Sequence, residues 1–286
     1  MPVFHFRAGN EDRGPASLPG TIAEIEILHV SRVVALRDTA KTPQHGRIEE
    51  RAAAAAVEDP RQVLSRNGVI AFTGSTTTHP DELYVMDSVT AKPRRLTDLN
   101  AFVDKLKLGR TETVNWQGPD GFSEDGALTY PVGYQQGHEY PLVLVVHGGP
   151  EGASTVRFSP LPQLLAAAGF LVFQPNYRGS INLGDKYQHA IYRDTGAGPG
   201  KDVMAGLAAV EKLGIVDPKR IGVSGWSYGG YMTTWLTGHY PKIWQAAVSG
   251  AALTDWVMDY TVAYYQTGDL YFFGGSPWTT KYWDIW

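Results

Sequence analysis

Residues 221–230 read Ile-Gly-Val-Ser-Gly-Trp-Ser-Tyr-Gly-Gly, a short apolar run that enters a turn of small residues with Ser227 at its centre. Gly225 and Gly229 flank that serine two residues away on either side. This is the Gly-x-Ser-x-Gly pattern of a nucleophile elbow, a sharp strand-to-helix turn that lifts a hydroxyl above the edge of a sheet and leaves no room for neighbouring side chains. Chance alone gives about 0.16 such matches in a chain with 13 serines and 32 glycines, so the pattern needs support from what surrounds it. The alternative is a glycine-rich turn with an incidental serine.

The surroundings supply that support. Lys219 and Arg220 lead into the apolar residues, and Tyr231, Met232, Trp235 and Leu236 follow at the spacing of a buried helix. Working outward, 141–146 is a continuous apolar run after a proline, as expected of a strand covered on both faces, and it ends in His147-Gly148-Gly149-Pro150. Residues 161–168 read as a helix and 170–174 as a strand. Residues 201–213 form a second helix with Val203, Leu207 and Val210 on one face, and 244–249 a further buried strand. Strands alternating with helices predict a mostly parallel sheet with right-handed crossovers, an α/β fold.

Composition sets the outer limits. At 286 residues, 43% hydrophobic and 19% charged, the chain is globular material for one large domain or slightly more. A net charge of -4 offers no basic face to nucleic acid and no polybasic membrane anchor. With no cysteine there is no disulfide framework, thiolate metal site or cysteine nucleophile; no cofactor and no metal are expected. Residues 1–20 hold no apolar run of signal length and no membrane span is visible, so the expected location is cytoplasmic. Oligomeric state has no signature here.

Residues 1–65 are unassigned. Within them 21–36 fits strand or helix equally, and 47–58, with five consecutive alanines, reads as a short solvated helix. From residue 66 to 110 the pattern changes to short strands at 69–73, 82–87 and 92–96, spaced like the blade strands of a larger all-β unit that three strands cannot complete. Strands at 111–117 and 127–131, around the turn Gly118-Pro119-Asp120-Gly121, predict a hairpin that opens a second unit, 111–286.

An elbow serine needs two N–H donors for the negative charge that acyl transfer builds on the carbonyl oxygen, and one normally comes from the residue after the nucleophile, here Tyr228. The second comes from a glycine-rich loop after an earlier strand, the place that His147-Gly148-Gly149-Pro150 occupies. Together with Pro175-Asn176-Tyr177-Arg178-Gly179-Ser180 and Gly225-Trp226-Ser227-Tyr228-Gly229-Gly230-Tyr231-Met232, this loop resembles the prolyl oligopeptidase family of serine peptidases, in its acylaminoacyl-peptidase and dipeptidyl-peptidase-like branch. The resemblance runs over about residues 66–286, and Thr254-Asp255-Trp256 fits it too. It implies an α/β-hydrolase domain under a β-propeller that screens peptide substrates by size. It implies Ser227 as nucleophile and the backbone N–H groups of Gly149 and Tyr228 as the oxyanion hole. Arg178 is expected to pair structurally with a carboxylate.

In hydrolases of this type the acid and the histidine follow the serine in the chain. After Ser227 the sequence has His239 alone, which a helix leaving the elbow would place about 18 Å away, and Asp255, too soon after the elbow for the acid. The sequence is therefore expected to be a fragment, with its triad Asp and His beyond residue 286 and little activity of its own. Two other readings are an esterase or lipase on the same fold, against which the blade-like strands speak, and a non-catalytic binding protein with a hydrolase core.

Overall fold

A computed structural model of the chain describes residues 63–64, 68–279, 281 and 283–286. The expectations for 21–36 and 47–58 lie outside the described residues. The first described unit is an antiparallel meander, β1 (Val63–Leu64), β2 (Ile70–Gly74), β3 (Glu82–Met86) and β4 (Arg94–Arg95), in that spatial order. Phe72 and Tyr84 face each other across β2 and β3 and stack at 5.6 Å, a cross-strand aromatic pair. The buried Glu82 carboxylate closes the meander by accepting from the backbone N–H groups of Leu99 and Asn100 and from the Thr97 hydroxyl.

The second sheet has six strands. They are β5 (Thr111–Gln117), β6 (Ser123–Thr129), β7 (Tyr140–Val146), β8 (Leu171–Pro175), β9 (Val216–Trp226) and β10 (Trp244–Gly250), in spatial order β10-β9-β7-β8-β6-β5. Pairings among β10, β9, β7 and β8 are parallel, while β6 joins β8 and β5 antiparallel. Helices α1 (Pro160–Ala167), α2 (Asp185–His189), α3 (Ala197–Glu211), α4 (Tyr228–His239), α5 (Trp256–Val262) and α6 (Gln266–Phe273) complete the α/β arrangement. The expected elements exist, with two instructive differences. β6 begins at Ser123 rather than 127, because the turn closes through Gly118 N–H to Phe122 O and Gly121 N–H to Gly118 O, putting the polar Ser123, Glu124 and Asp125 in register with β5. β10, expected to be buried, is exposed along Gln245–Ser249, with Val248 67% exposed, because among the described residues it is the outer strand of the sheet and pairs only with β9.

The core follows from the run in β7. Leu142, Leu144 and Val146 point one way and are buried with Leu128, Leu171, Phe173, Ile221 and Val223; Trp116 meets Phe173 edge-on at 5.6 Å. Each such aliphatic side chain contributes about 1.5–3 kcal/mol by leaving water. Replacing Leu144 by Ala leaves a void in the central strand, and urea denaturation should register a loss of about 2–5 kcal/mol; a loss below about 1 kcal/mol would place the core elsewhere.

Candidate active site

The elbow has the geometry its glycines predict. β9 ends at Trp226, Ser227 adopts φ 58° and ψ -123°, and α4 starts at Tyr228. A non-glycine residue held there costs about 1–3 kcal/mol, so the surroundings must enforce it. They do so by backbone contact. A Cβ at Gly225 would overlap the Gly229 backbone, and one at Gly229 would overlap the Val146 carbonyl oxygen. The first turn of α4 thus lies flush on the end of β7, and Ser227 N–H donates to Gly250 O at 3.0 Å, fastening the elbow to the end of β10 as well.

The loop after β7 lies against this elbow: a Cβ on Gly148 would sit 2.9 Å from the Trp226 carbonyl oxygen and 3.4 Å from Ser227 Cβ. Gly149 has φ +118°, open to glycine alone. Several bonds join this loop to the one after β8. His147 Nε2 lies 2.9 Å from Ser180 Oγ, Tyr177 donates its hydroxyl to the His147 carbonyl at 2.7 Å, and the two rings stack at 4.3 Å. Asn176 accepts from Ser154 N–H at 2.7 Å and donates back to Ser154 O at 2.9 Å, while Ile181 N–H reaches Gly152 O at 3.1 Å. The two loops form one hydrogen-bonded body.

Arg178 anchors that body. Its guanidinium meets the fully buried Asp202 of α3 with two parallel bonds, Nε to Oδ2 and Nη2 to Oδ1, both 2.7 Å, and its backbone N–H adds a third at 2.9 Å. Nη2 also donates to Asp120 of the β5–β6 turn at 2.6 Å. Arg178 is thus a structural pairing residue. The partners were not singled out from the sequence, although Asp202, an acid directly beside the apolar stripe of Val203, Leu207 and Val210, carries a signal that could have been read.

Burial lowers the pKa of His147 to about 4, so its imidazole is neutral at physiological pH, held between Ser180, Gly148 O and Tyr177. The other described histidines are engaged elsewhere. His79 pairs with Asp104 at 2.7 Å, His189 Nδ1 contacts Asp185 O, and His138 precedes β7 at the end of the sheet opposite the elbow. His239, the last residue of α4, stacks on Trp235 at 3.7 Å with Nδ1 near Trp235 O. Asp255 caps α5, accepting from Met258 N–H at 2.8 Å. Among the described residues no histidine or carboxylate hydrogen-bonds the Ser227 hydroxyl.

A serine elbow at the end of a parallel strand, with a glycine loop at the end of the adjacent one, defines an α/β-hydrolase domain. Residues 156–285 match the model of the Prolyl oligopeptidase family. The chain is 33% identical over 180 residues to the uncharacterized peptidase YuxL of Bacillus subtilis, covering 62% of this chain and 27% of that protein. To dipeptidyl-peptidase 5 of Schizosaccharomyces pombe it is 32% identical over 178 residues, covering 59% and 26%. Among solved structures, acylaminoacyl peptidase bound to Z-Gly-Gly-Phe-chloromethyl ketone superposes with a TM-score of 0.69 at 28% identity over 76% of this chain and 35% of that one. The Pyrococcus horikoshii acylaminoacyl peptidase gives 0.68 at 27% identity over the same shares. The chain spans about a quarter of the length of these curated relatives and about a third of the solved chains.

Two measurements check this site. Arg178→Ala strands Asp202 as an uncompensated buried charge, and urea denaturation should show a loss of about 3–5 kcal/mol; near-wild-type stability would mean the clamp is dispensable. A histidine whose folded pKa is depressed supports the fold above its unfolded value of about 6.5 and loses that support as pH falls toward about 4. The His147 ring resonances should therefore stay constant between about pH 5 and about pH 8, where exposed histidines titrate; a midpoint near 6.5 would contradict its burial.

Proposed function

We propose that Ser227 is the nucleophile of a serine peptidase that cleaves peptide bonds through an acyl-enzyme, with the backbone N–H groups of Gly149 and Tyr228 as its oxyanion hole. One observation carries the reading: the strained Ser227 turn lies directly against the 147–150 loop, on two adjacent parallel strand ends. Tyr228 is the first residue of α4, so its N–H has no acceptor within the helix, and the helix N-terminus favours negative charge beside it. Such preorganised donors act on the oxyanion as it forms, each contributing about 3–4 kcal/mol of barrier lowering by comparison with known deletions. The family match over residues 156–285 and the peptidase names of the similar proteins support peptides as the substrate class. The four-stranded meander is read as part of a propeller that would limit substrate size.

The nucleophile also needs a base. Ser227 has none among the described residues, so the triad acid and imidazole are assigned to residues outside that set. A fluorophosphonate probe followed by mass spectrometry tests this. Labelling of Ser227 that disappears in Ser227→Ala is expected. Labelling at another serine instead would remove Ser227 as the nucleophile.

A further inference from the structure

Behind the Arg178 clamp lies a second buried acid. Glu124 of β6 is 1% exposed and Asp202 is fully buried on α3, which packs against β6, so the charge of one carboxyl acts on the other. The cation that pairs with Asp202 is engaged elsewhere than on Glu124: the Arg178 guanidinium spends Nε and Nη2 on Asp202 and a second Nη2 bond on Asp120. What Glu124 receives is neutral. Trp116 Nε1 donates to its Oε2 at 2.5 Å from β5, and the Tyr187 hydroxyl of α2 turns toward it without closing a bond. Glu124 Oε1 has no hydrogen-bond partner among the described residues, and the β5–β6 turn closes over it so tightly that a Cβ at Gly118 would overlap the carboxyl.

Two buried carboxyl groups served by one engaged guanidinium are not both stable as anions, because the second charge would be desolvated with no counter-charge of its own. We propose that Glu124 retains a proton at neutral pH, acting as a positioning residue that keeps the Asp202–Arg178 clamp, and through it the loop 176–180 and the oxyanion loop, in place. Losing that proton adds a second buried anion whose charge acts on Asp202. The clamp is then pulled apart at the point that fixes Tyr177 and Ser180 against His147. The electrostatics agree, since burial first, and the Asp202 charge next, raise the Glu124 pKa to about 8. The groups facing Glu124 from every packed element are Trp116, Asp202, Tyr187, and, through the clamp, Arg178 and Asp120.

The sign follows from linkage. A carboxyl whose pKa is near 4.5 in the unfolded chain and about 8 in the folded one binds a proton only when folded over that interval, so its contribution to stability is full below about 4.5 and falls as pH rises toward about 8. The proton site depends on the fold alone. Its positioning role rests on reading 147–150 as an oxyanion loop, and none of the following readouts uses turnover, so they stand or fall separately from the peptidase reading.

Urea unfolding of the full 286-residue chain across that range should show the wild type losing about tenfold in folding constant per pH unit relative to Glu124→Gln, which keeps the shape and hydrogen bonds but cannot ionise. Asp269, raised to about 7 by its own burial, contributes to both proteins and drops out of the difference. Parallel curves for the two proteins would overturn the proposal. Should the glutamine variant fail to fold, infrared spectroscopy of wild type labelled with 13C-glutamate decides: a protonated-carboxyl band must persist at neutral pH and vanish near pH 8, and its absence at pH 6 sinks the idea. For the positioning role, backbone amides of 147–152 and 177–180 should exchange faster in wild type than in Glu124→Gln above about pH 9 and equally below about pH 7. Equal exchange at both would leave Glu124 a proton site with no hold on the loop, and overturn that half of the proposal.

Discussion

The constraint on which the rest of this domain depends is backbone contact at the elbow. Helix α4 begins so close to the end of β7 that neither Gly225 nor Gly229 has space for a methyl group, and the Val146 carbonyl oxygen forms the wall. That contact drives Ser227 into a left-handed conformation and points its first helical N–H groups toward the same strand end from which the 147–150 loop departs. Placing a strained serine next to a glycine loop requires two parallel strands in fixed register, which the β7 and β9 pairing from Leu142 to Val146 supplies. A parallel sheet with buried β7 is therefore part of the site's construction as well as its support.

A second layer of control comes from buried polar groups. The loops after β7 and β8 each carry few apolar side chains, and what locks them together is a run of hydrogen bonds through Asn176, Tyr177, Ser180 and His147. Arg178 connects this run to α3 by its paired bonds to Asp202. Buried polar networks are costly when incomplete and rigid when satisfied. The neutral state of His147 belongs to the same logic: burial keeps charge off the imidazole, so it acts as a brace between two loops.

The meander of β1 to β4 is joined to the α/β unit by Phe158 N–H to Thr76 O. Between them lies an apolar cavity of about 810 Å³, lined by Phe102, Val103 and Leu106 on one side and Pro160, Leu164 and Ala167 on the other. Leu164 beside it and Val248 on the bare edge of β10 are among the exposed apolar residues. Edges of this kind invite pairing.

By itself the sequence determined the α/β class, the order of elements and the strand-to-helix turn at Ser227, because these are local: apolar periodicity marks strands and helices, and a glycine two residues to either side of a serine marks a steric requirement. It also located the 147–150 loop by its place at a strand end. What only the tertiary structure decided involves residues far apart in the chain. That Arg178 pairs with Asp202 and Asp120, that His147 is braced by Ser180 and Tyr177, and that Glu124 is buried beside Asp202 depend on which strand ends and helices come together. The exposure of β10 belongs in the same group, since an apolar strand reads the same in sequence whether it lies inside a sheet or at its edge. Periodicity reports which face of an element is apolar, and only packing reports what covers it.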